Sequence, residues 1–157
     1  MGAVASRGGV APISWLLASW PVVIGFAALA VPTAGRLADQ VWSREWGAHG
    51  PIVLVTGAWL IWRQMGELRS IAKPGSSLVV TLALLLSLAV YVFGRAYDFI
   101  SLETAGLYGT CVSYLYAVAG VPALRLLWFP LVYFAFMIPL PGWLMDQLTA
   151  PLKLFVS

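Results

Sequence analysis

Residues 77–94 read SLVVTLALLLSLAVYVFG, and no charge falls between Leu78 and Phe93. At about 1.5 Å per residue, an α-helix over such a run reaches most of the way across a hydrocarbon core. The whole chain has the same character. Of its 157 residues, 61% are hydrophobic and only 10% charged, where a soluble domain carries about 25% charged residues. A soluble domain of this size leaves too much surface wet to hide that many apolar side chains. Disorder is excluded, because disordered chains are poor in apolar residues. A single cysteine, Cys111, cannot build a disulfide scaffold within one chain. The expected fold is all-α: a polytopic membrane helix bundle, one membrane domain over residues 1–157, with about five spans.

Working outward from that run, the first apolar stretch covers residues 13–35. Pro21 and Pro32 lie inside it, which neighbouring helices tolerate in a membrane. Ala28-Leu29-Ala30 would suit a signal-peptide cleavage site, but the run is longer than the roughly 7–15 apolar residues of a signal peptide. A polar stretch follows, with Asp39, Arg44 and Glu45, and with Trp42 and Trp46 suited to an interface. The second span is expected over residues 47–65, with Arg63 snorkelling outward. A basic loop with Arg69 and Lys73 ends at Pro74-Gly75, which break the helix. The fourth span, residues 101–120, carries Ala105, Gly109 and Ser113 at helical spacing, a stripe that permits close helix approach. The fifth, residues 122–140, opens on Pro122 and stops at Pro139-Leu140-Pro141-Gly142. Residues 142–157 read as an interfacial segment.

The charges suggest an orientation. With the N-terminus inside, Arg7, Arg63, Arg69, Lys73 and Arg125 fall inside, and Arg36, Arg44, Arg95 and Lys153 outside. The densest basic cluster is then cytoplasmic, as the positive-inside rule asks. The net charge of +3 is scattered, so no patch reads as a nucleic-acid footprint. One His and one Cys cannot supply the three or four ligands of a zinc site. No Gly-rich phosphate loop follows a strand, and no cofactor is implied.

Single residues carry less. Cys111 stands mid-span with no base beside it in sequence, which favours a packing role over a nucleophile. His49 stands at the mouth of the second span, where its proton could serve transfer or anion recognition. The simpler reading is a histidine anchoring a helix start at the interface. Arg95, Asp98 and Glu103 cluster between the third and fourth runs. Ionisable groups near membrane depth are functional candidates, but at span ends a solvated loop is the expectation. Arg125 reads either as a snorkelling anchor or as a charge inside the bundle.

Three segments together resemble a known family. They are Trp42-Ser43-Arg44-Glu45-Trp46-Gly47-Ala48-His49-Gly50-Pro51, entering a helix that ends Trp62-Arg63; Phe136-Met137-Ile138-Pro139-Leu140-Pro141; and Leu148-Thr149-Ala150-Pro151-Leu152. In this order and spacing they are similar to the N-terminal half of the exosortases, integral membrane enzymes of Gram-negative bacteria. The motif positions are His49, Gly50, Pro139, Pro141 and Pro151. The resemblance implies a cysteine protease or transpeptidase of the inner membrane. Such an enzyme sorts substrate proteins whose C-terminal signal joins a Pro-Glu-Pro-like motif, a transmembrane helix and a basic tail. It implies a link to exopolysaccharide as well. The family's chemistry rests on a Cys in an Ala-Cys-Ser-Gly setting and on a later Arg and His. By the same resemblance all three are expected beyond Ser157, so the chain is expected to be a fragment without the catalytic residues. Cys111 does not match the nucleophile motif, and His49 is not the family's catalytic His. A non-catalytic membrane scaffold or a transporter subunit is the alternative. A transporter would carry matching halves, and none is visible.

Overall fold

In the computed structural model, residues 20–43 and 49–139 are described. Helix α1, Trp20–Leu37, runs into a π-helical turn, Ala38–Trp42. Helices α2 (Gly50–Arg63), α3 (Met65–Ile71), α4 (Ser77–Ala96), α5 (Ile100–Leu126) and α6 (Trp128–Ala135) follow, with no strand among the described residues.

The charge-free run becomes α4, two residues longer than its apolar core suggests. Asp98 then adopts a left-handed conformation, φ 60°, which an aspartate tolerates better than most residues. The Phe99 amide donates to the Gly94 carbonyl across this corner at 2.8 Å, and the chain reverses into α5. Helices α4 and α5 form the tightest pair in the molecule because glycines let the backbones touch. Gly94 lies against the backbone of Leu102 and Glu103, Gly106 against the backbone of Tyr91, and Gly109 against the Ser87 side chain. Gly109 of the expected Ala105, Gly109 and Ser113 stripe is thus in contact, and Gly106 joins it. A Cβ at position 106 would meet the Tyr91 backbone, so only a residue without one fits there.

The expected break between the fourth and fifth runs falls at Gly120, where φ is +67° and the helix axis kinks. The basic loop packs into this kink. The Lys73 amide donates to the Ala119 carbonyl at 3.2 Å, and the Gly75 amide to the Ala117 carbonyl at 3.3 Å. A Cβ on Gly120 would fall on the Lys73 carbonyl oxygen, so the position needs glycine for space as well as for φ. A second break follows at Leu127. Proline has no N–H, so Pro130 cannot donate to Leu126 and the helix cannot continue. In the first turn of the new helix α6 that missing donor has no consequence.

Helix α6 runs antiparallel to α2, with the Phe134 ring against Gly57 and Leu131 near Ile61. Helix α3 lies against α5, its Leu68 buried with Ala119, Ala123 and Leu127. Helix α1 packs on α5.

Three described helices are long and apolar enough to cross a membrane: α1 with its π turn, α4 and α5. Their outward faces are apolar, Leu82, Leu85 and Leu86 of α4 being 59%, 61% and 68% exposed. In water such a contiguous patch would drive association; in a bilayer it meets lipid. The second and fifth runs form shorter helices. At 14 residues, α2 measures about 21 Å against a hydrocarbon core of about 30 Å. The fold is an all-α membrane helix bundle. Residues 13–19 of the first run and the segment 142–157, with Ser157 at its end, lie outside the described residues.

Candidate functional site: a polar end of the bundle

The ends of α1 and α4 and the starts of α2 and α5 meet at one end of the bundle. Glu103, in the first turn of α5, is fully buried there. Its Oε1 accepts from the Arg95 guanidinium of α4 at 2.9 Å and from the Thr33 hydroxyl of α1 at 2.8 Å. Its Oε2 accepts from Arg36 of α1, and the other arm of the same guanidinium reaches Asp98. The Thr33 hydroxyl also lies 2.8 Å from the Leu29 carbonyl, so its one proton is shared between that carbonyl and Glu103, and the Tyr91 hydroxyl donates to the same carbonyl at 3.1 Å. The helix dipoles favour this arrangement. An acid stands at the positive start of α5, and bases stand at the negative ends of α1 and α4.

This corrects the expectation of a solvated loop at Arg95, Asp98 and Glu103. Asp98 is exposed and Arg95 partly so, but Glu103 is sealed. The reason is a partner far away in sequence: Arg36 and Thr33 come from α1 and close over the carboxylate. Sequence reasoning missed Thr33, Arg36 and Tyr91 as members of this cluster. The signal available was a basic residue in the last turn of one apolar run facing an acid in the first turn of another.

The described family-motif positions, His49, Gly50 and Pro139, lie at or toward the same end. His49 is exposed, at the N-cap position of α2, and its side chain makes no capping hydrogen bond; its carbonyl accepts from the Val53 amide at 3.0 Å. Gly50 is buried for a specific reason: a Cβ there would overlap the indole of Trp42 in the π turn. The His-Gly pair therefore starts α2 where the end of α1 seats its tryptophan. Pro139 is buried just beyond α6, which runs back toward this end. Pro141 and Pro151 lie outside the described residues, as do Trp46 and Ser157. Arg125, open to two readings in sequence, is exposed.

Gly50→Ala is expected to lower stability by about 1–3 kcal/mol, the usual cost of overpacking. In a Trp42→Ala background most of that penalty should vanish, because the two residues share one space. Thermal unfolding in detergent of the four members of this cycle measures the coupling. Gly66→Ala, at a position with open space around it, is the control.

An apolar cavity of about 410 Å³ separates α1 from α2 and α6, with Trp42, Tyr108, Cys111 and Phe134 among its walls. Tyr108 is occupied, its hydroxyl donating to the Leu131 carbonyl at 2.8 Å. No carboxylate, histidine or lysine stands in the described lining. Among the described residues Cys111 thus has no base within the cavity to generate a thiolate, and these surroundings are those of a packing residue.

What the polar end can do chemically is hold a fixed charge arrangement at membrane depth beside an exposed imidazole. The described residues there include no cysteine. No curated protein and no solved structure matches the chain. Residues 41–157, from the π turn to Ser157, match the family described as transmembrane exosortase (Exosortase_EpsH). The chain belongs to the transmembrane exosortase family.

Proposed function

We propose that this membrane protein serves protein sorting, as the frame of a cysteine peptidase or transpeptidase of the bacterial inner membrane. Its substrates would be proteins ending in a Pro-Glu-Pro-like motif, a transmembrane helix and a basic tail. The family match over residues 41–157 carries the reading. The nucleophile it requires is a Cys in an Ala-Cys-Ser-Gly setting, with a later Arg and His, and Cys111, in Thr110-Cys111-Val112-Ser113, does not stand in such a setting. The part assigned to this chain is to hold the helices in register, with His49, Gly50, Pro139, Pro141 and Pro151 shaping the mouth of the site.

The test is a reporter protein carrying such a C-terminal signal. In cells deleted for the gene, the reporter should accumulate uncut, and the gene supplied in trans should restore its processing. Processing should survive Cys111→Ala. Equal processing with and without the gene, read by immunoblot, would refute the assignment.

The same reading places the polar end outside and the N-terminus in the cytoplasm. Among the described residues, Arg63, Arg69, Lys73 and Arg125 stand at one end and only Arg36 and Arg95 at the other, both paired with carboxylates. Unpaired Lys and Arg favour the cytoplasmic side. Alkaline phosphatase fused after His49 should be active, and fused after Lys73 inactive. The reverse pattern would invert the topology.

A further inference from the structure

The end opposite the ionic cluster differs from it in one chemical respect: among the described residues, its cations have no carboxylate partner. Arg63, Arg69, Lys73 and Arg125 are all exposed, and Glu67 is the one acid beside them among the described residues. Every ion pair among the described residues lies at the other end, where Arg36 and Arg95 commit their donors to Glu103 and Asp98. Helix α3 lies across the basic end, with Leu68 buried against Ala119, Ala123 and Leu127 while its neighbour Arg69 faces out. Lys73 follows, its amide bonded to Ala119, so the backbone beneath both cations is fixed to α5.

Aromatic residues set the level of this end in the membrane. Trp62 is 72% exposed at the end of α2, and Trp128 is 62% exposed at the start of α6. Exposed tryptophans at the ends of apolar helices settle at the headgroup layer. The Arg63 guanidinium lies 5.7 Å over the Trp59 ring, so its charge is held at that same level.

We propose that Arg63, Arg69, Lys73 and Arg125 form a collar that binds the phosphates of anionic phospholipid headgroups. The collar retains phosphatidylglycerol-type lipids around this end in preference to zwitterionic ones. Three features select a lipid as occupant: the charge is complementary, the cations have no carboxylate partner among the described residues, and the tryptophans put them where phosphates already lie. The described arginines of the opposite end, Arg36 and Arg95, are already neutralised.

The experiment reconstitutes the full chain in vesicles of phosphatidylcholine and phosphatidylglycerol, extracts it in mild detergent, and measures the two retained lipids by mass spectrometry. The wild-type chain should hold phosphatidylglycerol well above its bulk share. Each cation removed should lower the retained ratio about fivefold, so R69Q/K73Q should lower it about 25-fold. Circular dichroism checks that the variant keeps its helices; if it does not, R125Q alone is read in its place. A wild-type chain at the bulk ratio, or a folded variant that retains as much as wild type, would overturn the proposal. So would inorganic phosphate that strips the lipid when chloride of equal ionic strength does not, since the partner would then be free phosphate.

Discussion

Glu103→Ala is expected to cost about 3–5 kcal/mol of stability, the usual price of breaking a buried ion pair from one side. The substitution removes the one buried acceptor that faces Arg36, Arg95 and Thr33 together. Arg36 suffers most, since its side chain is only 19% exposed and its remaining partner, Asp98, lies out in solvent. Because α1 reaches the α4–α5 pair through this cluster, its docking should loosen first. Glu103→Gln should fall between, keeping an acceptor for Thr33 but leaving the guanidinium charge uncompensated. Asp98→Asn should cost at most about 1 kcal/mol, because a carboxylate 81% exposed is screened by water. Thermal unfolding in detergent micelles ranks the three. If Glu103→Ala were as mild as Asp98→Asn, the cluster would not be holding α1. Replacing the buried pair together, Glu103→Leu with Arg36→Met, should recover much of the loss, because the more buried arginine leaves with its partner, while Arg95, 43% exposed, can reach water.

The contrast between Glu103 and the run that became α4 shows which parts of this molecule are legible in sequence. An uncharged apolar run is local information: residues 77–94 announce a spanning helix, and Ser77–Ala96 is one. The Gly120-Val121-Pro122 break is local too, since a left-handed glycine before a proline has few other uses. Glu103 is different. Its position at a helix start can be read, but its burial depends on Arg36, 67 residues earlier, and no spacing rule links them. The same holds for Gly50, whose need for glycine comes from Trp42 folding back from the π turn. The lengths of the helices in the second and fifth runs are hidden in sequence for a related reason. Apolar composition shows that the second and fifth runs prefer lipid, but helix length depends on where hydrogen bonding stops. Gln64 ends α2, and Pro130 forces a restart before α6.

The second large effect is expected where α4 crosses α5. Gly106→Val should destabilise the protein by about 1–3 kcal/mol or more, and Gly94→Val should do likewise. Overpacking is often relieved by a side chain swinging aside, but that relief is missing here. The atoms a new Cβ would meet are the backbone of Tyr91 in one case and of Leu102 and Glu103 in the other. Backbone inside two hydrogen-bonded helices can yield only if the helices part. Parting them at Gly94 would also draw Arg95 away from Glu103, whose bond is 2.9 Å. Gly94→Val should therefore cost less in a Glu103→Gln background than in wild type, a coupling that Gly106→Val, farther along the crossing, should show more weakly. The control is Gly35→Ala in α1, where the Cβ enters open space. That change removes the entropic cost of a helical glycine and should be neutral or stabilise by up to about 1 kcal/mol. If Gly106→Val unfolded at the same temperature as Gly35→Ala, the two backbones could not be in contact. The close α4–α5 crossing, on which the placement of Glu103 between its two arginines depends, would then be wrong.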